Sequence, residues 1–158
     1  MGTMNTTIRR ARSEDVPAIV AMLADDPLGA TRESPGDPAY ASAFAEIDRD
    51  ERQYLAVAEV DGEVVATLQL TFIPGLSRRG GTRALIEAVR VRADRRAAGL
   101  GGELTRWAVD RAREAGAIMV QLTSDASRTD AHRFYESLGF TASHVGMKLA
   151  LSPSRPGA

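Results

Sequence analysis

The amino-acid sequence predicts an α+β fold in which a mixed, mostly antiparallel twisted sheet is flanked by helices. Three observations support this class. An Asp61-Gly62 pair between the apolar runs 53–60 and 63–73 is typical of a tight β-hairpin. Residues 84–115 give an apolar run, a loop rich in arginine and glycine, and an amphipathic stretch, which indicate a strand, a turn and a helix. The other segments complete the order β-α-α-β-β-β-α-β-α-β, which fits an α+β arrangement.

The first half of the chain is predicted to place two helices between a short strand and the hairpin. Residues 7–11 are predicted to form the strand, and Ser13 is expected to cap the helix that follows. That helix has four apolar residues on one face, namely Val16, Ile19, Val20 and Leu23. Residues 27–38 have the composition of a loop, and a second helix is expected over residues 38–48.

The second half is predicted to alternate loops with regular elements. A Gly/Arg loop at residues 74–82 precedes a central strand at 83–92, and the next helix is expected to bury Leu100, Leu104, Trp107, Ala108 and Ala112. The chain is then expected to form a buried strand, a helix with Gly139 at its C′ position, a final strand or hairpin, and a disordered tail, at residues 117–123, 129–138, 140–151 and 152–158.

Length and composition limit the class of protein. At 158 residues, with 44% hydrophobic and 26% charged residues, the chain is expected to form one globular domain. It has no cysteine and only two histidines, His132 and His144, so disulfides, thiolate catalysis and a metal site are not expected. It has no signal-peptide pattern and no apolar run near the ~20 residues of a membrane span, so a cytoplasmic location away from membranes is expected.

Although the net charge is only −1, the sequence contains one acidic and one basic segment. Residues 25–51 carry eight acids and two arginines, whereas residues 76–113 carry ten arginines and four acids. A basic segment suits the phosphates of a cofactor, and an acidic segment would attract a cationic amine. Solvated helix faces explain the acidic segment equally well. Because the chain is slightly acidic and has few aromatic residues, it is not expected to bind nucleic acid.

The loop at residues 91–102 gives the strongest indication of a ligand. It places arginines and glycines between a strand and the start of a helix, where the backbone can approach closely and free N–H groups favour an anion. The loop has neither Gly-Lys-Ser/Thr nor Gly-x-Gly-x-x-Gly, which excludes a Walker-type site and argues against a dinucleotide-binding fold. A plain strand-to-helix connection with a glycine cap is the alternative that the loop alone leaves open.

Two motifs resemble those of the GNAT-type N-acetyltransferases. Val91, Arg96, Gly99 and Gly101 have the spacing Val-x-x-x-x-Arg-x-x-Gly-x-Gly of the coenzyme A loop in that family. Residues 131–140 resemble its second hallmark, Ala-x-x-Phe-Tyr-x-x-x-Gly-Phe. The resemblance covers most of the chain and implies the GNAT-like acyl-CoA N-acyltransferase fold. It also implies an enzyme that transfers the acetyl group of acetyl-CoA directly to an amine in a ternary complex.

The resemblance implies roles for particular residues. Tyr135 is expected to protonate the departing thiolate, and Glu87 in the central strand is expected to act as a base near the acceptor amine. A backbone N–H group in the segment from Val89 to Val91 is expected to face the oxyanion. The residues expected to bind the cofactor are Val89, Val91, Arg96, Ala97, Ala98, Gly99, Leu100, Gly101, Gly102, Arg128 and Phe134.

These assignments have structural alternatives. Tyr135 also belongs to an apolar stripe of its helix, as a core residue would. The apolar neighbours of Glu87 are expected to desolvate it, which suits a base that works near neutral pH. The alternatives for Glu87 are an ion pair with Arg90 or Arg92, or an exposed edge. Arg128 stands where asparagine is common in the family, and there it would suit a phosphate.

Two other functions stay open beside N-acetyl transfer. One is a non-catalytic module that binds or senses acyl-CoA, and the other is an acyltransferase for another acyl chain or a hydroxyl acceptor. The sequence does not identify the acceptor, which a small molecule or a peptide could supply. It also leaves open whether His144 contacts that acceptor and whether the chain forms a homodimer.

Overall fold

The computed structural model describes residues 5–151, and the predicted tail at 152–158 lies outside them. A single five-stranded sheet has the order β1-β2-β3-β4-β5. Neighbouring strands from β1 to β4 are antiparallel, and β5 runs parallel to β4, which confirms the mixed, mostly antiparallel sheet. The strands span Thr6–Arg10 (β1), Gln53–Val60 (β2), Glu63–Ile73 (β3), Arg83–Val91 (β4) and Met119–Gln121 (β5).

Six helical segments and two 3-10 turns connect these strands. The helices span Val16–Ala24 (α1), Gly29–Arg32 (α2), Ala39–Arg49 (α3), Ser77–Gly80 (α4), Leu100–Glu114 (α5) and Thr129–Ser137 (α6), and the 3-10 turns span Ser13–Asp15 and Ala93–Arg95. The helices predicted at 38–48 and 129–138 are confirmed within one residue. Two segments predicted as loops each contain a short helix: α2 lies inside residues 27–38, and the single turn α4 lies inside residues 74–82.

The hairpin between β2 and β3 forms as the sequence predicts. Asp61 and Gly62 have φ angles of 51° and 82°, so both central residues of the turn are left-handed. A two-residue turn of this kind matches the right-handed twist of the two strands. The register that it sets pairs Val60 with Glu63 and continues along the length of both strands, with one irregularity next to Ala58.

The core has two layers, one on each face of the sheet. Helix α5 covers one face with Leu104, Ala108 and Ala112, which are all buried as predicted. Trp107 of the same helix is partly buried, and its ring meets that of Tyr54 edge-on at 5.0 Å. Helices α1 and α3 cover the opposite face, where a cluster includes Ala11, Ile19 and Val57 with Phe44 packed against it.

The start of α1 is held by Asp15, and the predicted cap by Ser13 is wrong. No side chain caps the preceding 3-10 turn at Ser13. The buried carboxylate of Asp15 accepts hydrogen bonds from the backbone N–H of Arg12 and from the guanidinium of Arg9, both at 2.7 Å. The Arg9 hydrogen bonds hold the pKa of Asp15 below its usual range, although burial alone would raise it. Arg9 also pairs with Glu59 at 2.8 Å, which ties β1 to β2.

The strand predicted at residues 117–123 is shorter than expected. It covers only Met119–Gln121, and its three residues pair with Arg83, Ala84 and Leu85 of β4. These three residues are half-buried, so β5 is not the fully buried strand that its apolar sequence suggested. Beyond Leu85 and Gln121 the two strands no longer pair, and the gap between them positions the candidate site.

The final strand or hairpin predicted at residues 140–151 is wrong. No regular element follows α6 within the described part of the chain. The segment passes close to β5, because a Cβ atom built on Gly146 would lie 3.5 Å from Cγ2 of Thr123, but no strand pairing forms there. Four apolar residues of this segment are instead exposed, namely Val145, Met147, Leu149 and Leu151. A strand forms only where the backbone finds a pairing partner.

Candidate active site

A β-bulge in β4 opens the gap between β4 and β5. Gln69 of β3 is opposite Glu87, whereas Thr67 is opposite Arg90, so β4 has one more residue than β3 in this interval. Ala88 in the bulge has a left-handed φ of 53°. A bulge of this kind bends a strand and increases its twist, and bulges are frequent beside active sites. The backbone of β4 after Leu85 is therefore unpaired on the side that faces β5.

A polar cavity of about 50 Å³ lies in this gap. It brings together four of the residues predicted for the site, which come from β4, from the segment before α6 and from α6 itself. The lining consists of Ile86, Glu87, Ala88, Val89, Arg90, Leu122, Thr123, Ser124, Arg128 and Tyr135. The sequence separated these groups by almost fifty positions, and the divergence of β4 and β5 joins them. The fold therefore places Glu87, Val89, Arg128 and Tyr135 around one cavity.

Two buried polar atoms in this cavity lack a hydrogen-bond partner among the described residues, and the sequence did not single them out. They are Nε of Arg90 and Oγ of Ser124. Nε of Arg90 lies 2.8 Å from Oδ2 of Asp26, which is an ion pair by distance, although its N–H does not meet hydrogen-bond geometry. Oγ of Ser124 is therefore the atom of this pair that has neither a hydrogen bond nor a charged partner among the described residues. No sequence pattern marks Ser124, and Arg90 stood out only as a possible partner of Glu87.

Asp26 carries the charge that balances Arg90. Both side chains are mostly buried, with exposed fractions of 22% and 17%. Burial alone would raise the pKa of Asp26, but the backbone N–H of Gly29 and the charge of Arg90 hold it below its usual range. The ion pair connects the turn between α1 and α2 to the bulged part of β4. A charge pair thus lies against the polar cavity, close to Tyr135.

Tyr135 has features of a core residue and of a general acid, the two roles that the sequence allowed. Its ring meets those of Phe134 and Phe140 edge-on, at 5.1 Å and 5.9 Å between centroids, as a core residue would. The residue also lines the polar cavity. Burial raises the pKa of its phenol, and the charges of Arg128 and Arg90 partly oppose that rise. The phenol therefore keeps its proton at neutral pH, as a general acid must.

Glu87 lies in the predicted cavity but not in the predicted environment. Its side chain is exposed, so the expected desolvation by its apolar strand neighbours is wrong. The reason is that β4 loses its β5 neighbour after Leu85, which leaves this part of the strand open to solvent. The alternative ion pairs are also excluded, because Arg90 pairs with Asp26 and Arg92 pairs with acids elsewhere. Of the alternatives that the sequence left open, the exposed edge is correct.

The loop after β4 forms a concave backbone in front of α5. Gly99 is the N-cap of α5 with a left-handed φ of 81°, and no side chain caps the helix. No atom lies within 4 Å of the position that a Cβ on Gly99 would occupy. Gly101 faces Val91 and Phe134, each 3.7 Å from where its Cβ would be. Ala97 is also left-handed, at 67°, a conformation that costs a non-glycine residue roughly 1 kcal/mol. The N–H groups at the start of α5 are thus presented to an anion.

Arg96 extends from this loop toward the turn after α1. Its Nε donates a hydrogen bond to the carbonyl oxygen of Val91, and its Nη2 donates one to that of Asp25, both at 3.2 Å. The guanidinium also lies 3.7 Å from the carboxylate of Asp25. These contacts are more than half exposed to solvent, so an anion could replace them at low cost.

Two further properties concern the whole of residues 5–151. No three His, Cys, Asp or Glu side chains in this range are grouped so that they could hold a metal ion. None of its helices combines the length and the apolar composition that crossing a membrane requires.

Comparison with known proteins shows the class to which this fold belongs. The family model described as the acetyltransferase (GNAT) family matches residues 16–140. The chain belongs to this family. The resemblance predicted from the loop at residues 91–102 and from the motif at residues 131–140 is thereby confirmed.

Three individual proteins are similar to this chain over most of its length. An aminoalkylphosphonate N-acetyltransferase from Salmonella typhimurium is 29% identical over 91% of this chain and 90% of its own. A crystal structure of a transcriptional regulator from Bacillus halodurans is 46% identical with a TM-score of 0.90, over 93% of this chain and all of the other. An acetyltransferase structure from Trypanosoma brucei is 26% identical with a TM-score of 0.78, again over 93% and 100%.

Proposed function

We propose that the protein transfers the acetyl group of acetyl-CoA directly to a primary amine while both substrates are bound. The observation that carries this proposal is the polar cavity between β4 and β5, whose lining includes Glu87, Arg128 and Tyr135 from three separate parts of the fold. The uncapped start of α5 at Gly99 supplies an anion site on the same side of β4. No cysteine is present in the sequence to carry the acetyl group as an enzyme thioester, which favours direct transfer.

The chain presents groups for binding the cofactor. The N–H groups from Ala97 to Gly102 and the side chain of Arg96 would hold the pyrophosphate. Arg96 would exchange its exposed contact with Asp25 for a phosphate oxygen, a charge-assisted hydrogen bond of greater strength. Phe134 would pack against the cofactor, because its ring already faces Gly101. The segment of β4 from Val89 to Val91, which lies beyond the last residue paired with β5, would bind the pantetheine arm and the thioester oxygen.

The same residues account for the movement of protons. The amine nitrogen attacks the thioester carbon, and a backbone N–H group in the segment from Val89 to Val91 would stabilise the negative charge that develops on the oxygen. When the carbon–sulfur bond breaks, the phenol of Tyr135 donates its proton to the departing thiolate. The proton that the amine loses passes to Glu87, which is exposed and therefore able to act through water. Arg90 and Arg128 lower the electrostatic cost of negative charge on the phenol oxygen.

A second candidate function is binding of acyl-CoA without turnover. The relative at 46% identity is described as a transcriptional regulator, which favours a sensing role for this fold. The Salmonella relative is described as an N-acetyltransferase, which favours turnover and an amine acceptor. Release of free thiol from acetyl-CoA in the presence of a panel of primary amines separates the two. Thiol release that depends on an amine supports the enzyme, whereas tight coenzyme A binding without release supports the sensor.

The cofactor loop can be tested with two matched glycine substitutions. Gly99 and Gly116 lie at opposite ends of α5, have φ angles of 81° and 80°, and have no atom within 4 Å of a built Cβ. Valine at either position should impose a similar strain of roughly 1–3 kcal/mol. Gly99→Val should also weaken coenzyme A binding by roughly 10- to 100-fold, the value of one charge-assisted hydrogen bond, whereas Gly116→Val should not.

The readouts for this pair are a melting curve and isothermal titration calorimetry with coenzyme A. Equal losses of stability with a loss of affinity confined to Gly99→Val would support the placement of the pyrophosphate. If both variants bind coenzyme A like the unmodified protein, the placement is wrong. Alanine at the same two positions gives a milder pair, should either valine variant fail to fold.

A further inference from the structure

A second cavity lies on the other side of the β4 bulge. It measures about 110 Å³ and is bounded by α1, α3 and the face of the sheet. Helix α3 turns Phe44 and Ile47 toward the sheet, yet none of its residues is fully buried. Ile19 and Val20 of α1 and Leu55 of β2 contribute further apolar walls. Two helices and a sheet that pack apolar faces against each other normally leave few voids larger than a water molecule, so this gap requires an explanation.

The polar residues in the lining of this cavity already have hydrogen-bond partners within the protein. Thr67 donates its Oγ1 hydrogen to the carbonyl oxygen of Ala56 at 2.8 Å. Gln69 donates from Nε2 to the side chain of Gln53 at 2.8 Å. The hydroxyl of Tyr40 accepts a hydrogen bond from the backbone N–H of Ser34 at 2.9 Å. The surface offered to a ligand is therefore mainly apolar, in contrast to the cavity that contains Arg90 and Ser124.

The two cavities meet at one residue. Ala88, at the centre of the bulge, lines both the apolar cavity and the polar cavity. Glu87 precedes it in the polar cavity, and its partner across the strand pair, Gln69, lines the apolar one. An acceptor with its amine beside Glu87 and Tyr135 would have to pass Ala88 to place its apolar part between the helices.

We propose that the apolar cavity selects the acceptor, and that the acceptor is a primary amine with a small branched aliphatic substituent. This inference rests on the proposed function. A volume of about 110 Å³ holds roughly three to four water-sized groups, which corresponds to an aliphatic group of about four or five carbons. No charged side chain lines the cavity within the described residues, so an anionic substituent such as a phosphonate would be buried there without a counter-charge.

The acceptor class is tested with three amines of defined chemistry. 3-Methylbutylamine has three carbons more than ethylamine, and each buried carbon corresponds to about a fourfold gain in binding. The expected kcat/KM for 3-methylbutylamine is therefore roughly 50-fold above that for ethylamine. 2-Aminoethylphosphonate is expected to be no better an acceptor than ethylamine. The reaction is followed by release of free thiol from acetyl-CoA.

Two substitutions on α3 supply a matched comparison. Ala43 and Ala45 are both exposed, but only Ala43 lines the cavity. Ala43→Leu should fill part of the cavity and lower kcat/KM for 3-methylbutylamine by roughly tenfold or more. It should leave coenzyme A affinity unchanged, because Ala43 lies outside the loop at residues 91–102. Ala45→Leu adds the same three carbons to the same helix and should change none of these quantities.

The outcomes separate this inference from the function on which it rests. Preference for 3-methylbutylamine that Ala43→Leu abolishes supports the inference. Equal or better turnover of 2-aminoethylphosphonate, or a preference that Ala43→Leu leaves intact, overturns the inference and leaves the acetyltransferase activity standing. If coenzyme A does not bind the unmodified protein, the proposed function fails, and the inference fails with it.

Discussion

Replacing Tyr135 with phenylalanine is the most direct test of the proposed chemistry. The substitution removes only the hydroxyl group of the side chain and keeps the ring. The ring contacts with Phe134 and Phe140, at 5.1 Å and 5.9 Å, remain available to phenylalanine. Because these contacts persist, we expect the free energy of unfolding to change by less than about 1 kcal/mol. The catalytic effect should be much larger, since a positioned general acid contributes roughly 10²–10⁴ to kcat.

The direction of the pKa shift adds a second expectation. Burial raises the pKa of the Tyr135 phenol above its ordinary value of 10.0, although Arg128 and Arg90 oppose the rise. Deprotonation of Tyr135 should therefore not limit the activity of the unmodified enzyme at or below pH 9. Any loss in Tyr135→Phe should be the same across pH 7–9, because the group removed is fully protonated throughout that range.

The assay is amine-dependent thiol release, with coenzyme A affinity measured separately by calorimetry. Tyr54→Phe is the matched control, because Tyr54 is also half-buried and meets a neighbouring ring, Trp107, edge-on at 5.0 Å. Tyr54 does not line the polar cavity, so its variant should keep full activity. A kcat for Tyr135→Phe within about threefold of the unmodified enzyme would refute the acid role and leave Tyr135 as a core residue.

Three further expectations concern the base, the ion-pair network and the end of the described chain. Glu87→Gln should lower kcat by roughly 10²-fold, with an unchanged melting temperature because Glu87 is exposed; intact kinetics would exclude the base role. Asp15→Asn should lower the free energy of unfolding by about 2 kcal/mol at pH 7, since Arg9 loses a charged partner. The pKa of Asp15 is lower in the folded protein than in the unfolded chain, so the ionised carboxylate stabilises the fold fully at pH values above the unfolded pKa. The difference in the free energy of unfolding between the unmodified protein and Asp15→Asn, measured in urea, should therefore narrow below about pH 4. Backbone amides of residues 141–151 should exchange hydrogen rapidly, and protection that grows with protein concentration would instead indicate pairing with a second copy.

The parts of the fold that the sequence predicts are those that local chemistry determines. The Asp61-Gly62 turn requires two left-handed residues, and this dipeptide favours that conformation, so the hairpin and its register follow. The inward face of α5 was predicted because its apolar residues recur at helical spacing. Gly99 and Gly139, both left-handed in the structure, mark the start of α5 and the end of α6 for the same local reason.

The features that the sequence did not reveal depend on contacts between distant segments. Glu87 is surrounded by apolar residues in the sequence, but its exposure depends on where β5 stops pairing with β4, which the residues of β4 do not encode. The pairing of Arg90 with Asp26 joins positions 64 residues apart, and neither residue belongs to a motif. A final strand or hairpin was predicted after α6, yet a strand also needs a free edge in the correct register, and the local sequence carries no information about that.

The bulge at Ala88 is the structural feature that the polar cavity and the apolar cavity share. Without the extra residue, β4 would continue its alternation and direct successive side chains to opposite faces of an unbroken sheet. The added residue bends the strand where it leaves β5, which opens the polar cavity toward Tyr135. The same residue forms part of the wall of the apolar cavity beneath α3. Ala88 adopts a left-handed φ at a cost of roughly 1–2 kcal/mol, and strain of this kind persists only where the surrounding structure enforces it. Pairing of β4 with β3 on both sides of the bulge supplies that enforcement, so the junction of the two cavities is held by the sheet itself.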